Sequence, residues 1–120
     1  MPAQAGTLDA PQAQTLEARH EIVLVDIRTP MEWSDTGIPA GAATISWGRP
    51  DFAERLLELA KGNRAAPLVL ICRTGNRSSR ALAYLAEQGF TAVSHVPEGM
   101  AGSAAGPGWL ARGLPTSQWP

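Results

Sequence analysis

One thiol carries the chemical potential of this chain. Cys72 is the single Cys among 120 residues. It follows the apolar run Leu68-Val69-Leu70-Ile71 and opens the loop Cys72-Arg73-Thr74-Gly75-Asn76-Arg77. Ser78-Ser79-Arg80-Ala81-Leu82-Ala83-Tyr84-Leu85 then has a helical pattern. A thiol between a buried strand and a helix N-terminus, flanked by two arginines, sits where a thiolate forms most readily. An ordinary thiol is only a few per cent thiolate at neutral pH. A helix N-terminus offers unpaired N–H groups and about half a positive charge. A loop wrapped over that end aims further N–H groups at one point, a nest for an anion. Thr74, Gly75 and Asn76 line this nest through their backbones, and Gly75 gives freedom for the tight curve. Arg73 and Arg77 add fixed charge. Ser78 and Ser79 cap the helix, with a hydroxyl in reach of the sulfur. The chemistry favoured is attack by anionic sulfur. The competing reading is an inert cysteine buried at a strand end, since free Cys is among the most buried residue types. An inert core Cys, however, has no use for two Arg, a Gly and a polar cradle.

Strands and helices must hold that loop. Glu21-Ile22-Val23-Leu24-Val25-Asp26-Ile27 reads as a strand buried on both faces. Leu68–Ile71 reads as a second and Val93–Val96 as a short one, while Gly41 to Trp47 passes from loop into another. Residues 10–18 form a helix. A capping box, Asp51 with Glu54, opens the next, whose face is Phe52, Leu56, Leu59 and Ala60 and whose end is Gly62-Asn63. A third runs from about Arg77 to Gln88, with Leu82, Leu85 and Ala86 on one face and Gly89 at its end. Glu98 to Pro115 is rich in Gly and Ala, with a turn of helix at Trp109–Arg112. Strands alternating with helices predict an α/β fold, a parallel sheet covered on both faces. Reactive groups in such sheets gather at the carboxyl ends of strands. Cys72 stands at one such end and Asp26 at another, with Arg28 just beyond.

Composition narrows the function classes. An apolar share of 44% and a charged share of 18% describe a globular protein with an ordinary core. One domain over residues 1–120 is expected, with tails at 1–6 and 116–120. A net charge of −1 gives no basic field for nucleic acid or an anionic membrane. A lone Cys excludes an internal disulfide framework and a Cys-based zinc site, so no metal is expected. The N-terminus has no basic start followed by an apolar stretch, and no run approaches a membrane span. The cytoplasm, where a free thiol stays reduced, is the expected compartment. The oligomeric state stays open, a monomer being compatible.

Four segments in order carry a resemblance. Val23-Leu24-Val25-Asp26-Ile27-Arg28-Thr29-Pro30-Met31-Glu32-Trp33 is similar to an Asp-x-Arg-x-x-x-Glu-aromatic motif. Ile38-Pro39-Ala40-Gly41-Ala42 is similar to a Gly-His-Ile-Pro-Gly-Ala element. Cys72 to Ser78 is similar to an active-site loop. Glu98-Gly99-Met100 with Gly108-Trp109-Leu110-Ala111-Arg112-Gly113-Leu114-Pro115 is similar to a closing Gly-Gly…Trp…Gly-Leu-Pro motif. Together, over about residues 20–116, they resemble the single-domain members of the rhodanese family of sulfurtransferases. The resemblance implies a rhodanese-like fold with a central parallel sheet of about five strands. It implies a ping-pong reaction in which Cys72 takes the outer sulfur of a donor such as thiosulfate, holds it as a persulfide, and yields it to cyanide, a thiol or a protein. Arg73, Thr74, Gly75, Asn76, Arg77 and Ser78 would bind the persulfide or donor, with no cofactor. Arg73 resembles the loop Arg of thiosulfate users; mercaptopyruvate users tend to carry Gly there. Two segments depart from the pattern: Thr36-Gly37-Ile38 with the extra Ala40, and the extra stretch from Ala101 to Pro107. Both bear on the pocket rim.

Loop length separates the alternatives. Four residues lie between Cys72 and Arg77. Tyrosine and dual-specificity phosphatases, and the phosphatases and arsenate reductases that share this fold, use the longer Cys-x5-Arg loop, wide enough for a tetrahedral oxyanion. The shorter loop suits a sulfur atom. No Gly-Lys-Ser/Thr and no Cys-x-x-Cys occurs, which removes P-loop and thioredoxin chemistry. A second class stays open: a sulfur-relay or interaction module loaded by a partner protein, with little activity on free thiosulfate. Asp26 and Arg28 either orient the loop or substrate or form an ion pair bracing the strand end, the latter preferred. Glu32 ties down its own turn. Trp47, with Arg49, lines the pocket rim or packs the sheet edge. Trp33 and Trp109 are core residues. Neither His20 nor His95 is expected to be catalytic.

Overall fold

The structure, a computed structural model, describes residues 6–120. Its elements in chain order are α1 (Ala10–Ala18), β1 (Val23–Asp26), α2 (Pro30–Thr36), β2 (Ile38–Pro39), β3 (Ala43–Thr44), α3 (Phe52–Leu59), β4 (Leu68–Ile71), α4 (Asn76–Glu87), β5 (Val93–His95) and β6 (Thr116–Ser117). The main sheet has the order β3-β1-β4-β5 and every pairing in it is parallel. Asp26 lies opposite Ile71, and Leu70 opposite His95, so the carboxyl ends of β1, β4 and β5 meet at one rim.

Alternation along the central strand divides the core. Leu68 and Leu70 join Val25, Ile27, Phe52, Leu56, Ala81 and Leu85 on the face covered by α3 and α4. Val69 and Ile71 join Leu24, Ala10, Ala13, Met100 and Trp109 on the other, under α1 and the closing segment. Successive strand side chains point to opposite faces, so an unbroken apolar run is what a strand between two layers requires. The α/β architecture with both faces covered matches the sequence-based expectation.

Several expectations need correction. The sheet has four strands rather than about five. At its β5 edge stands a single parallel bridge from Thr7 to His95. The Leu8 N–H donates to the His95 carbonyl at 3.0 Å and the His95 N–H to the Gly6 carbonyl at 2.9 Å. Helix α2 was not expected. It starts on a reciprocal capping box, Thr29 with Glu32, and carries Pro30 in its first turn. Asp51, expected to cap α3 with its side chain, instead gives its carboxylate to Arg49 and Arg55. The buried residues of α4 are Ser78, Ala81 and Leu85, while Ala86 is exposed. Its inner face therefore begins at a serine, one turn before the apolar residues mark it. The C-terminal stretch is not free: β6 pairs antiparallel with β2, and the Trp119 ring meets Trp33 edge-on at 5.1 Å. Of the expected N-terminal tail, residues 1–5 lie outside the described residues. No described helix is long and apolar enough to cross a membrane.

Candidate active site

Cys72 is the first residue past β4, and only 1% of it is exposed. Its sulfur lies at the mouth of α4. The Gly75 N–H donates to Sγ at 3.2 Å and the Ser78 N–H at 3.4 Å. Gly75 is the N-cap of α4, with φ +91°. A Cβ there would run into the Pro97 carbonyl, so both the turn and the close approach require glycine. Main-chain bonds brace the loop from behind. The Met100 N–H donates to the Cys72 carbonyl and the Ala101 N–H to the Arg73 carbonyl, each at 2.9 Å. The chain after β5 thus seats the cradle through backbone atoms. The departing stretch 101–107 folds onto that same chain: the Ser103 hydroxyl donates to the Pro97 carbonyl at 2.9 Å.

The two loop arginines have different surroundings. Arg77 makes a forked pair with Glu32 of α2, at 2.8 and 2.9 Å. The bond to Arg77, chief among the causes and opposed by burial, holds the Glu32 carboxyl at about 2. Arg77 is correspondingly raised, by Glu32 first and also by the charges of Cys72 and Asp26. The sequence reading missed this pairing; Glu32 ties its own turn and the Cys72 loop together. Arg73 is exposed beside Pro30, Met31, Glu32, Ser34 and Asp35, around an open depression of about 790 Å³. Thr74 and Asn76 are exposed as well.

Asp26 and Arg28 form a buried pair at 2.8 Å. Arg28 also donates to the Thr36 hydroxyl and the Gly37 carbonyl, each at 3.0 Å. This geometry ties the end of β1 to the end of α2. Trp47 packs edge-on against Phe52 and Tyr84, at 5.1 and 5.7 Å, on the outer side of the α3–α4 core. Trp47 is thus half-buried against that core, and Arg49 is engaged by Asp51. Ser79 is exposed, and no side chain caps α4. Ser78 is fully buried, and its Oγ lies 3.5 Å from the Cys72 Sγ and 2.8 Å from the His95 Nδ1. Sequence reasoning set His95 aside, because nothing local to β5 reveals that contact. Among the described residues no cluster of three or more His, Cys, Asp or Glu could hold a metal ion.

A family model described as a rhodanese-like domain matches residues 9–105. The chain is 39% identical over 88 residues to the thiosulfate sulfurtransferase GlpE of Pseudomonas syringae pv. syringae, covering 73% of this chain and 76% of that protein. It is 33% identical over 103 residues to a sulfurtransferase of Allochromatium vinosum, covering 86% and 85%. The crystal structure of Rv0390 from M. tuberculosis superposes with a TM-score of 0.72 at 32% identity, covering 96% of this chain and 98% of that one.

Proposed function

Because the chain belongs to the rhodanese-like domain family, we propose that it is a sulfurtransferase in which Cys72 carries sulfane sulfur as a persulfide. The observation that carries this reading is the pair of backbone N–H groups, from Gly75 and Ser78, aimed at Sγ from the start of a helix. Such donors favour anionic sulfur over the neutral thiol. The Cys72 thiolate attacks the outer sulfur of thiosulfate. The bond between that sulfur and the sulfite sulfur breaks, and sulfite leaves with the electron pair. The terminal sulfur of the resulting persulfide is itself anionic and takes over the same donors. Cyanide, a thiol or a protein thiolate then attacks the terminal sulfur and returns Cys72 as thiolate. Arg73, exposed beside the loop, meets the incoming oxyanion. Arg77 keeps its charge near the sulfur while bound to Glu32.

Intact mass measurement tests the proposal. Incubation with thiosulfate is expected to add one sulfur to the protein, and cyanide to remove it. No gain, or a gain that persists in Cys72→Ser, would sink the reading. Loading from a persulfidated protein but not from thiosulfate would reassign the chain as a relay module.

A further inference from the structure

We propose that His95 is a positioning residue for Cys72, acting through Ser78 as the acceptor of the thiol proton. The inference rests on Cys72 as the reacting atom. Three groups are joined through one hydroxyl: the Ser78 Oγ lies 3.5 Å from Sγ and 2.8 Å from the His95 Nδ1, a shorter contact than its 3.3 Å to the Gly75 carbonyl. All three residues are buried: Cys72 is 1% exposed, Ser78 0% and His95 7%. A buried thiol needs a route for its proton, and a hydroxyl that both donates and accepts provides one. The relay uses the tautomer with its proton on Nε2, which offers Nδ1 as acceptor. The Cys72 S–H bond breaks, its proton passes to Ser78 Oγ, and the Ser78 O–H proton passes to His95 Nδ1. The sulfur keeps the electron pair and Ser78 ends neutral. The Ser78 hydroxyl then donates to the thiolate, and the imidazolium donates to Ser78.

The surroundings support this assignment. Burial lowers the proton affinity of His95, which keeps Nδ1 open at neutral pH. The charged groups of the packed elements are engaged elsewhere or exposed. Asp26 on β1 is held by Arg28, and Arg77 on α4 by Glu32, while Arg80 is exposed. Asp9 caps α1, and Glu98 after β5 is held by Arg112. Cys72 is left as the titratable partner of His95 through Ser78. The backbone of His95 is pinned on both sides, by β4 and by the Gly6–Leu8 segment, which fixes the point from which the ring projects.

Alkylation of Cys72 by iodoacetamide, followed by intact mass across pH, tests the relay without requiring sulfur transfer. His95→Phe and Ser78→Ala are each expected to slow alkylation near neutral pH by about tenfold, the order expected from losing one hydrogen bond to a charged atom. The deficit closes at high pH, where the thiolate forms unaided. The double variant should be no slower than either single one, because both break the same chain. His95→Asn keeps a hydrogen-bonding atom but cannot take the proton, so it should restore the fold and not the neutral-pH rate. In the unmutated protein, ¹⁵N shifts of the His95 ring should show the imidazole releasing its proton at lower pH once Cys72 is alkylated. Any one of three results overturns the proposal: His95→Asn matching the parent at every pH, multiplicative effects in the double variant, or a His95 titration indifferent to alkylation. Failure of thiosulfate loading alone would instead count against the sulfurtransferase reading.

Discussion

Glu32 serves two purposes with one carboxylate. It closes the capping box of α2 with Thr29 and forks onto Arg77 beside the thiol. Its folded value of about 2 lies below the ordinary 4.5, so the stability it contributes is full above 4.5 and is lost as pH falls toward 2. Thermal unfolding followed between about pH 7 and pH 2 should therefore separate the parent from Glu32→Gln by about 1–2 kcal/mol at neutrality, after allowing for solvent screening. The two curves should converge at the acid end. A constant gap down to pH 2 would refute the role of this ionisation. At this scale the sequence was legible wherever a residue's neighbours in the chain define what it does, as with Cys72 after its strand and Gly75 in the turn. It was opaque where a residue's partners lie across the fold. Glu32 is 45 positions from Arg77, and His95 is 17 from Ser78. No local pattern marks either pair.

Elements declare themselves by length and continuity. β1, β4 and α4 rest on unbroken apolar or helical runs, so they could be read directly. α2 carried its signals in Thr29-Pro30-Met31-Glu32, but seven residues with one buried side chain, Trp33, show little periodicity. β6 is two exposed residues whose strand character comes only from pairing with Ile38–Pro39. The junction of β4 with α4 yields a prediction of its own. Gly75→Ala forces a side chain into a left-handed turn and against the Pro97 carbonyl. Gly62→Ala meets the same kind of strain, with φ +80°, but open space. Denaturant unfolding should show a cost of about 1 kcal/mol at Gly62 and about 2–4 kcal/mol at Gly75. Cys72 alkylation should slow only in the second. Equal costs at the two glycines would mean that the Pro97 contact yields without consequence.

At the scale of the molecule, one buried carboxylate joins distant parts. Glu98, 1% exposed, accepts from the Ala10 N–H that opens α1, from the Gly108 N–H, and from Arg112 Nε, each at 2.8 Å. Burial would raise its proton affinity, but Arg112 and the two N–H groups outweigh it and hold the carboxyl below its usual range. Glu98→Ala leaves buried donors unpaired and should cost about 2–4 kcal/mol in denaturant unfolding. Glu98→Gln, which keeps acceptors for some of them, should cost less. Equal stability of Glu98→Ala and the parent would show that the closing segment needs no such tie. The resemblance located this segment by its Gly and Trp residues, whereas the partners of Glu98 emerged only from the fold. The thiol's seat is likewise built from main-chain atoms: N–H groups from Gly75 and Ser78 at the sulfur, and carbonyls of Cys72 and Arg73 held by the chain after β5. Arg73, Thr74 and Asn76 point outward from that seat into solvent. Mutation can therefore rewrite the rim while the thiol keeps its seat, and under the proposed sulfur transfer descendants of this chain can change clientele without reinventing their chemistry.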